Sequence, residues 1–213
     1  MLIKVCGNKH LENILAIADS SPDLMGYIFY PKSKRYVGDD PDPEIFSRIP
    51  TAIQKTGVFV NADRENIIDK INRYNLQNVQ LHGDETPYVC ARLKKENVTI
   101  IKAIRVEDGF YSAEIADYLP IVDYFLFDTG GKTYGGTGKK FNWDVLDRYM
   151  FQKPFFLSGG IDPGDAGKVL KMKHPFLKGI DINSRFESAP GVKNTEQVKT
   201  FISRIRNEKE QTR

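Results

Sequence analysis

The sequence predicts an α/β protein, a single-domain (β/α)8 barrel with a parallel eight-stranded core that spans residues 1–213. Eight short runs rich in β-branched and aromatic residues alternate with longer amphipathic stretches, a pattern typical of βαβ units and a parallel sheet. The units average about 27 residues, near the lower end of the size range of such barrels. The main alternative is an open doubly wound sheet, which is disfavoured because no G-x-G-x-x-G follows the first run.

Each predicted strand is a short apolar run that ends in polar residues or glycine. The eight runs are 2–6, 24–30, 56–60, 78–82, 99–106, 122–128, 154–159 and 177–182. Active sites of (β/α)8 barrels lie at the C-terminal ends of the strands. The residues that end these runs are therefore the candidates for chemistry.

Four stretches between the strands have the apolar spacing of an amphipathic helix. They are 10–19, 61–74, 86–95 and 195–205. Two of them carry a start signal, since Asp63 is placed to cap one, and Thr86 followed by Pro87 opens another. The remaining gaps are each long enough to hold a helix.

Composition and charge exclude several classes of protein. The 31 basic and 28 acidic residues nearly cancel to a net charge of +3, so the chain lacks the one-signed character of a nucleic-acid binder. No apolar run approaches the roughly 18 residues of a membrane helix, and the N-terminus has no secretory pattern. Cys6 and Cys90 form no disulfide framework, and the three histidines have no ligand cluster nearby, which argues against a metal site. We therefore expect a cytoplasmic protein.

Cys6 ends the first strand and is the first candidate for chemistry. The next helix is expected to begin near Asn8, and its N-terminus would lower the pKa of the thiol. A thiol of lowered pKa is a competent base or nucleophile, whereas the alternative is a small buried apolar residue. Cys90 lies on a predicted helix face and is interpreted as structural.

Asp128 ends the sixth strand, after the apolar run 124–127. An unpaired charge is costly in such surroundings, which favours the protonated carboxyl that a general acid needs. The alternative is a cap or turn residue before Gly130.

Glycine-rich or polar segments follow the last three strands, at 130–141, 157–160 and 180–184. In barrels the loops after strands seven and eight often hold a phosphate on backbone N–H groups, above a helix N-terminus. Glycine allows the backbone to approach the phosphate closely. A phosphorylated small molecule is therefore the expected substrate.

Seven blocks of the sequence, in this order, resemble the phosphoribosylanthranilate isomerase family of the tryptophan pathway. The blocks are KVCGN (4–8), YIFYPKSKRYV (27–37), GVFVN (57–61), QLHGDE (80–85), FDT with GGTGKKFNW (127–143), LSGGIDP (157–163) and GIDINSRFESAPGVK (179–193). The resemblance covers nearly the whole chain. Its specificity comes from the ordered set, since each block alone is a weak signal.

This resemblance implies an Amadori rearrangement of N-(5′-phosphoribosyl)anthranilate to 1-(2-carboxyphenylamino)-1-deoxyribulose 5-phosphate, with no metal or organic cofactor. Cys6 matches the general base of the family and Asp128 its general acid. Arg35, in SKRYV, matches the arginine that engages the anthranilate carboxylate. The phosphate cradle of the family falls on Gly136, Gly138, Gly159, Gly160, Asn183 and Ser184.

Three further residues are expected near the substrate. Gln80 and His82 have the same parity on the fourth strand, so both are candidates to face the barrel interior; for His82 a structural role is the alternative. Asp181 ends the eighth strand beside the phosphate loops. A carboxylate there is expected to orient backbone or solvent rather than meet a dianion.

The sequence also departs from the family pattern. Arg185 stands where the family usually has glycine, and Asp165 with Ala166 replaces a common asparagine–valine pair. Arg185 is expected to turn outward to Glu187 or solvent, with an inward contact to the phosphate as the alternative. A positive φ at this position would strain an arginine.

Two other functions stay open. One is a different phosphate-binding barrel enzyme: a pentose-phosphate epimerase would need metal-binding histidines, and indoleglycerol-phosphate synthase a lysine–glutamate set. Lys4 and Lys102 lie in strands, but no matching glutamate ends the third strand. The other is a non-catalytic binder of a phosphoribosyl ligand, which would need neither Cys6 nor Asp128. The oligomeric state is not set by the sequence, and a homodimer is one option.

Overall fold

The computed structural model describes residues 1–106, 112–129 and 140–210. Eight strands form a closed barrel in chain order, and β8 pairs in parallel with β1 to close it. The strands are β1 (Leu2–Val5), β2 (Leu24–Ile28), β3 (Gln54–Phe59), β4 (Asn78–Leu81), β5 (Thr99–Val106), β6 (Tyr124–Thr129), β7 (Phe155–Leu157) and β8 (Leu177–Ile182). The predicted barrel is thereby confirmed, because the open sheet of the alternative would leave its edge strands unpaired.

The helices pack around the barrel between successive strands. They are α1 (Leu11–Ala18), α2 (Glu44–Ser47), α3 (Arg64–Tyr74), α4 (Pro87–Leu93), α5 (Ala166–Lys171) and α6 (Thr195–Glu210). All four predicted helices are present, as α1, α3, α4 and α6. The connections after β5 and β6 contain 3-10 helices instead, at Ser112–Tyr118 and Trp143–Arg148.

The two helix start signals behave differently. Pro87 is the first residue of α4, and the Thr86 hydroxyl accepts a hydrogen bond from the Val89 amide at 3.5 Å. Asp63 has the extended backbone of a cap before α3, but its side chain accepts no capping hydrogen bond. A short antiparallel hairpin of β9 (Glu187–Ala189) and β10 (Val192–Lys193) follows β8, and it was not expected from the sequence.

Side chains along each strand alternate between the barrel interior and the surrounding helices. An apolar layer closes the interior, formed by Leu24, Ile101, Ala103, Leu126 and Phe156. Lys4 and Cys6 share one face of β1, as Leu126 and Asp128 share one face of β6, so polar groups follow this layer toward the C-terminal mouth. Within the described ranges, no helix is long and apolar enough to cross a membrane.

Candidate active site

The barrel gathers four of the predicted site residues at the C-terminal ends of its strands. Cys6 directly follows β1 and is 3% exposed, and Asp181 lies in β8 and is 6% exposed. Asp128 lies near the end of β6, and His82 directly follows β4; both are half-buried. Residues far apart in sequence thus face one mouth.

Gln80, His82 and Asp128 form a chain of hydrogen bonds. The His82 Nε2 lies 3.2 Å from Oδ2 of Asp128, and the Gln80 amide nitrogen lies 2.9 Å from the His82 Nδ1. Because an amide nitrogen only donates, Nδ1 accepts, and the ring proton sits on Nε2 facing the carboxylate. The other oxygen of Asp128 accepts from the Thr129 amide at 2.9 Å. The carboxyl group is therefore fixed at both oxygens.

The environment of Cys6 differs from the one the sequence suggests. Helix α1 begins only at Leu11, and the buried Asn8 amide instead donates to the backbone oxygens of Val5 and Gly26 at 2.7 and 3.0 Å. Burial raises the pKa of the Cys6 thiol, which Lys4 and Lys193 oppose. The expected lowering by a helix N-terminus is therefore wrong, because desolvation outweighs the charges around the thiol.

Asp181 pairs with a lysine rather than orienting backbone or solvent. Its Oδ1 accepts from Lys4 Nζ at 3.0 Å, and both side chains are buried. Burial raises the pKa of Asp181 and the Lys4 ammonium opposes the rise. Desolvation lowers the pKa of Lys4. The charges of Asp181 and Cys6 outweigh that effect, so the pKa of Lys4 is raised.

Arg35 lies at the mouth and is held by a carboxylate that sequence reasoning missed. Its Nε and Nη2 both donate to Glu187, at 2.6 to 2.9 Å. The same carboxylate accepts from Lys193 Nζ at 2.7 Å, and Lys193 also donates to the Asn183 side chain at 2.7 Å. Burial opposes the charge of Glu187, but the two cations outweigh it and lower the pKa of Glu187. Glu187 and Lys193 lie in the block 179–193, and the resemblance of that block to the family was the signal that could have identified them.

The predicted phosphate cradle is described in part. Gly159 and Gly160 follow β7 with φ of +83° and +68°, a backbone that favours glycine. A Cβ on Gly159 would collide with the Thr129 side chain and lie 2.7 Å from its amide nitrogen. Asn183 and Ser184 stand at the start of a 3-10 turn, Ser184–Phe186. Gly136 and Gly138 lie outside the described residues.

The departures from the family pattern have local explanations. Arg185 is exposed in the 3-10 turn and has no positive φ, so the strain that a positive φ would bring does not arise. Glu187, the acidic partner considered for Arg185, pairs with Arg35 and Lys193. Asp165 accepts from the Asp162 amide at 2.8 Å and completes a capping box before α5.

A thiol, two carboxylates and several cations at the C-terminal mouth of a closed parallel barrel define the class: a (β/α)8-barrel enzyme. Among the residues that the structure describes, no group of histidine, cysteine and acidic side chains could hold a metal ion.

Comparison with known proteins narrows this class to one family. The family model for N-(5′-phosphoribosyl)anthranilate isomerase matches residues 3–204. The isomerase of that name from Phocaeicola vulgatus is 43% identical over 206 residues, 97% of this chain and 98% of its own. The chain therefore belongs to the N-(5′-phosphoribosyl)anthranilate isomerase family, and it is an isomerase of tryptophan biosynthesis.

Two solved structures extend the comparison. A phosphoribosylanthranilate isomerase in complex with reduced 1-(o-carboxyphenylamino)-1-deoxyribulose 5-phosphate aligns with a TM-score of 0.81 and 32% identity, covering 96% of this chain and 98% of that one. Monomers derived from the dimeric isomerase of Thermotoga maritima align with a TM-score of 0.79 and 31% identity, with the same coverage.

Proposed function

We propose that this chain converts N-(5′-phosphoribosyl)anthranilate to 1-(2-carboxyphenylamino)-1-deoxyribulose 5-phosphate by an Amadori rearrangement, in one (β/α)8 domain spanning residues 1–213. The observation that carries the proposal is the placement of Cys6 and Asp128, a buried thiol and an anchored carboxyl, at one barrel mouth. A relative that binds a reduced form of this product supports the substrate.

Asp128 is the proposed general acid. It gives its proton to the ring oxygen of the ribose, the C1–O bond breaks, and the lone pair of the anilino nitrogen forms an iminium. His82 and the Thr129 amide donate to the two oxygens of Asp128 and hold the carboxyl in one orientation. On this assignment Gln80 and His82 orient the acid, in addition to any contact with substrate.

Cys6 is the proposed general base. As a thiolate it removes the proton from C2, and the electron pair of that C–H bond neutralises the iminium, giving an enolamine. The enol then becomes the ketone of the product. Burial raises the pKa of Cys6. The cations beside it, Lys4 and Lys193, are therefore needed to stabilise the thiolate form.

The anionic groups of the substrate have matching partners. Glu187 occupies Nε and Nη2 of Arg35, which leaves Nη1 to donate to the anthranilate carboxylate. The backbone at Gly159, Gly160, Asn183 and Ser184, with Gly136 and Gly138, is assigned to the phosphate. Asp181 forms an ion pair with Lys4 and holds that ammonium in place next to Cys6.

The remaining features of the proposal follow from the same chemistry. Acid–base chemistry of this kind needs no metal and no organic cofactor, and the substrate is the partner we assign. Two free, buried cysteines suit a reducing cytoplasm. The dimeric relative from Thermotoga maritima supports a homodimer, which sedimentation at several protein concentrations would test.

The deciding experiment follows the decay of substrate fluorescence with purified protein. The proposed isomerase consumes the substrate catalytically and yields the ketose product. A protein that quenches or binds the substrate in a stoichiometric amount, with no turnover, would instead be the non-catalytic phosphoribosyl binder. Because the product is an isomer of the same mass, the appearance of its ketone carbon in the NMR spectrum, together with disappearance of the aldose, separates the two results.

A further inference from the structure

Lys4 is a fully buried cation in the barrel interior, and neither proton transfer above uses it directly. It lies two residues before Cys6 on β1, so both side chains point to the same face. The register at the barrel closure sets Lys4 directly opposite Asp181 of β8, and Nζ lies 3.0 Å from Oδ1. An ammonium in this position is tolerated only because it is paired.

The Lys4 ammonium also lies close to the thiol of Cys6. A Cβ atom on Gly26 of β2 would lie 2.8 Å from the Cys6 sulfur and 3.0 Å from Lys4 Nζ, so the two atoms share the space that this glycine leaves open. The positive charge of Lys4 favours the thiolate form of a sulfur this close to it, because an opposite charge stabilises the ionised group.

The other charges around Cys6 come from β8 and β10. Asp181 raises the pKa of the thiol and Lys193 lowers it, while β2 places the uncharged residues Gly26 and Ile28 against Cys6. Lys193 is already engaged by Glu187 and Asn183. His82 and Asp128 influence Asp181 instead: Asp128 raises the pKa of Asp181, and His82 lowers it. Lys4 is therefore the cation with the larger effect on the thiol.

We propose that Lys4 is a positioning residue for Cys6: its ammonium, held by Asp181, orients the sulfur and stabilises the thiolate form. The inference rests on the proposed function, in which that thiolate removes the C2 proton. Lys4 acts through Cys6 and has no proton-transfer role of its own. The ion pair with Asp181 makes the cation permanent, since Asp181 and Cys6 both raise the pKa of Lys4.

The test measures the thiolate without substrate, so it does not depend on the base assignment. In a Cys90→Ala background, the ultraviolet absorbance of the Cys6 thiolate is followed against pH for the parent and for Lys4→Met. Loss of the adjacent positive charge should move the midpoint upward by about one to two pH units. At neutral pH kcat should fall about ten- to hundredfold, with KM within about twofold.

A matched pair of double variants distinguishes a specific effect of Lys4 on the thiol from a general effect of losing a buried ion pair. Lys4→Met with Asp181→Asn removes the ion pair without leaving a lone buried charge. Lys102→Met with Glu85→Gln does the same to an equally buried pair, 3.1 Å apart, on another side of the barrel. The first should raise the thiol midpoint even if Lys4→Met alone fails to fold, and the second should leave it unchanged.

The outcomes separate the two proposals. A midpoint that stays in place in both Lys4 variants, or that moves equally in the Lys102 control, overturns the role of Lys4. If the thiol midpoint rises and the pH profile of kcat rises with it, both proposals are supported. If the thiol midpoint rises and the kcat profile does not follow, Lys4 still stabilises the thiolate, and the assignment of Cys6 as the base is what fails.

Discussion

Asp128→Asn removes the proposed acid with little change of shape. Asparagine has the size of aspartate but no transferable proton, so opening of the ribose ring should lose the full effect of a general acid. That effect is about 10²- to 10⁴-fold in kcat. KM should change little, because asparagine keeps the size of aspartate and leaves in place the groups assigned to the phosphate and to the carboxylate.

The structural cost of this substitution can be worked out from two contacts. Asp128 accepts one hydrogen bond from the Thr129 amide and one from His82. An asparagine can accept only one of the two, since its NH2 group must face the other donor. The loss should destabilise the fold by about 1–3 kcal/mol, which a folded barrel tolerates.

The assay compares kcat and KM of Asp128→Asn with the parent, alongside circular dichroism and urea unfolding. His82→Asn is the matched control, since it disturbs the same hydrogen bond but leaves the acid in place. It should retain clearly more activity than Asp128→Asn. If a folded Asp128→Asn keeps more than about a tenth of the parent kcat, that loss is too small for a principal acid and the role is wrong.

Three further variants test other parts of the site. Cys6→Ala should lose about 10²-fold or more in kcat while its circular dichroism is unchanged, and a folded variant with near-normal turnover would exclude Cys6 as the base. Arg35→Lys should raise KM by about tenfold and more than it lowers kcat, because the single nitrogen of lysine cannot bind Glu187 and also present a separate N–H group to the anthranilate carboxylate. An unchanged KM in both Arg35→Lys and Arg35→Ala would remove Arg35 from the substrate. Arg185→Gly should leave KM unchanged and cost up to about 1 kcal/mol of stability, since Arg185 is exposed on an ordinary backbone and glycine gains unfolded-state entropy. A clear rise in KM, or in Ki for phosphate, would make Arg185 a phosphate ligand.

Much of the fold was predictable because its signals are local. Each strand is a short apolar run. The apolar residues of α1, α3, α4 and α6 recur at helical spacing, which predicts the helices themselves. The hairpin of β9 and β10 was missed because its strands are three and two residues long, too short for a repeating pattern. The helix expected after β6 is instead a 3-10 helix of six residues.

The positions of Cys6 and Asp128 at the mouth were predictable, because each stands at the end of a single strand. The site was missed where a partner comes from a distant segment. The pairs Lys4 with Asp181 and Arg35 with Glu187 are separated by 177 and 152 residues, and barrel closure decides the register of the first. A lysine in an apolar strand gives no hint of its counter-ion. Burial of Cys6, which reverses the expected pKa shift, is likewise a property of the assembled barrel.

The barrel holds the proposed acid and the proposed base in different surroundings at the same mouth. On one side, β4 and β6 hold Asp128 in a network with His82 and Gln80. On the other side, β1 and β8 hold Cys6 beside Lys4 and Asp181. The proposed reaction begins with a proton on Asp128 and none on Cys6, so separate surroundings serve it better than one shared network would. Asp181 lies within the field of both sides, since its pKa responds to Lys4 and also to Asp128 and His82. Asp181 therefore connects the surroundings of the proposed acid with those of the proposed base.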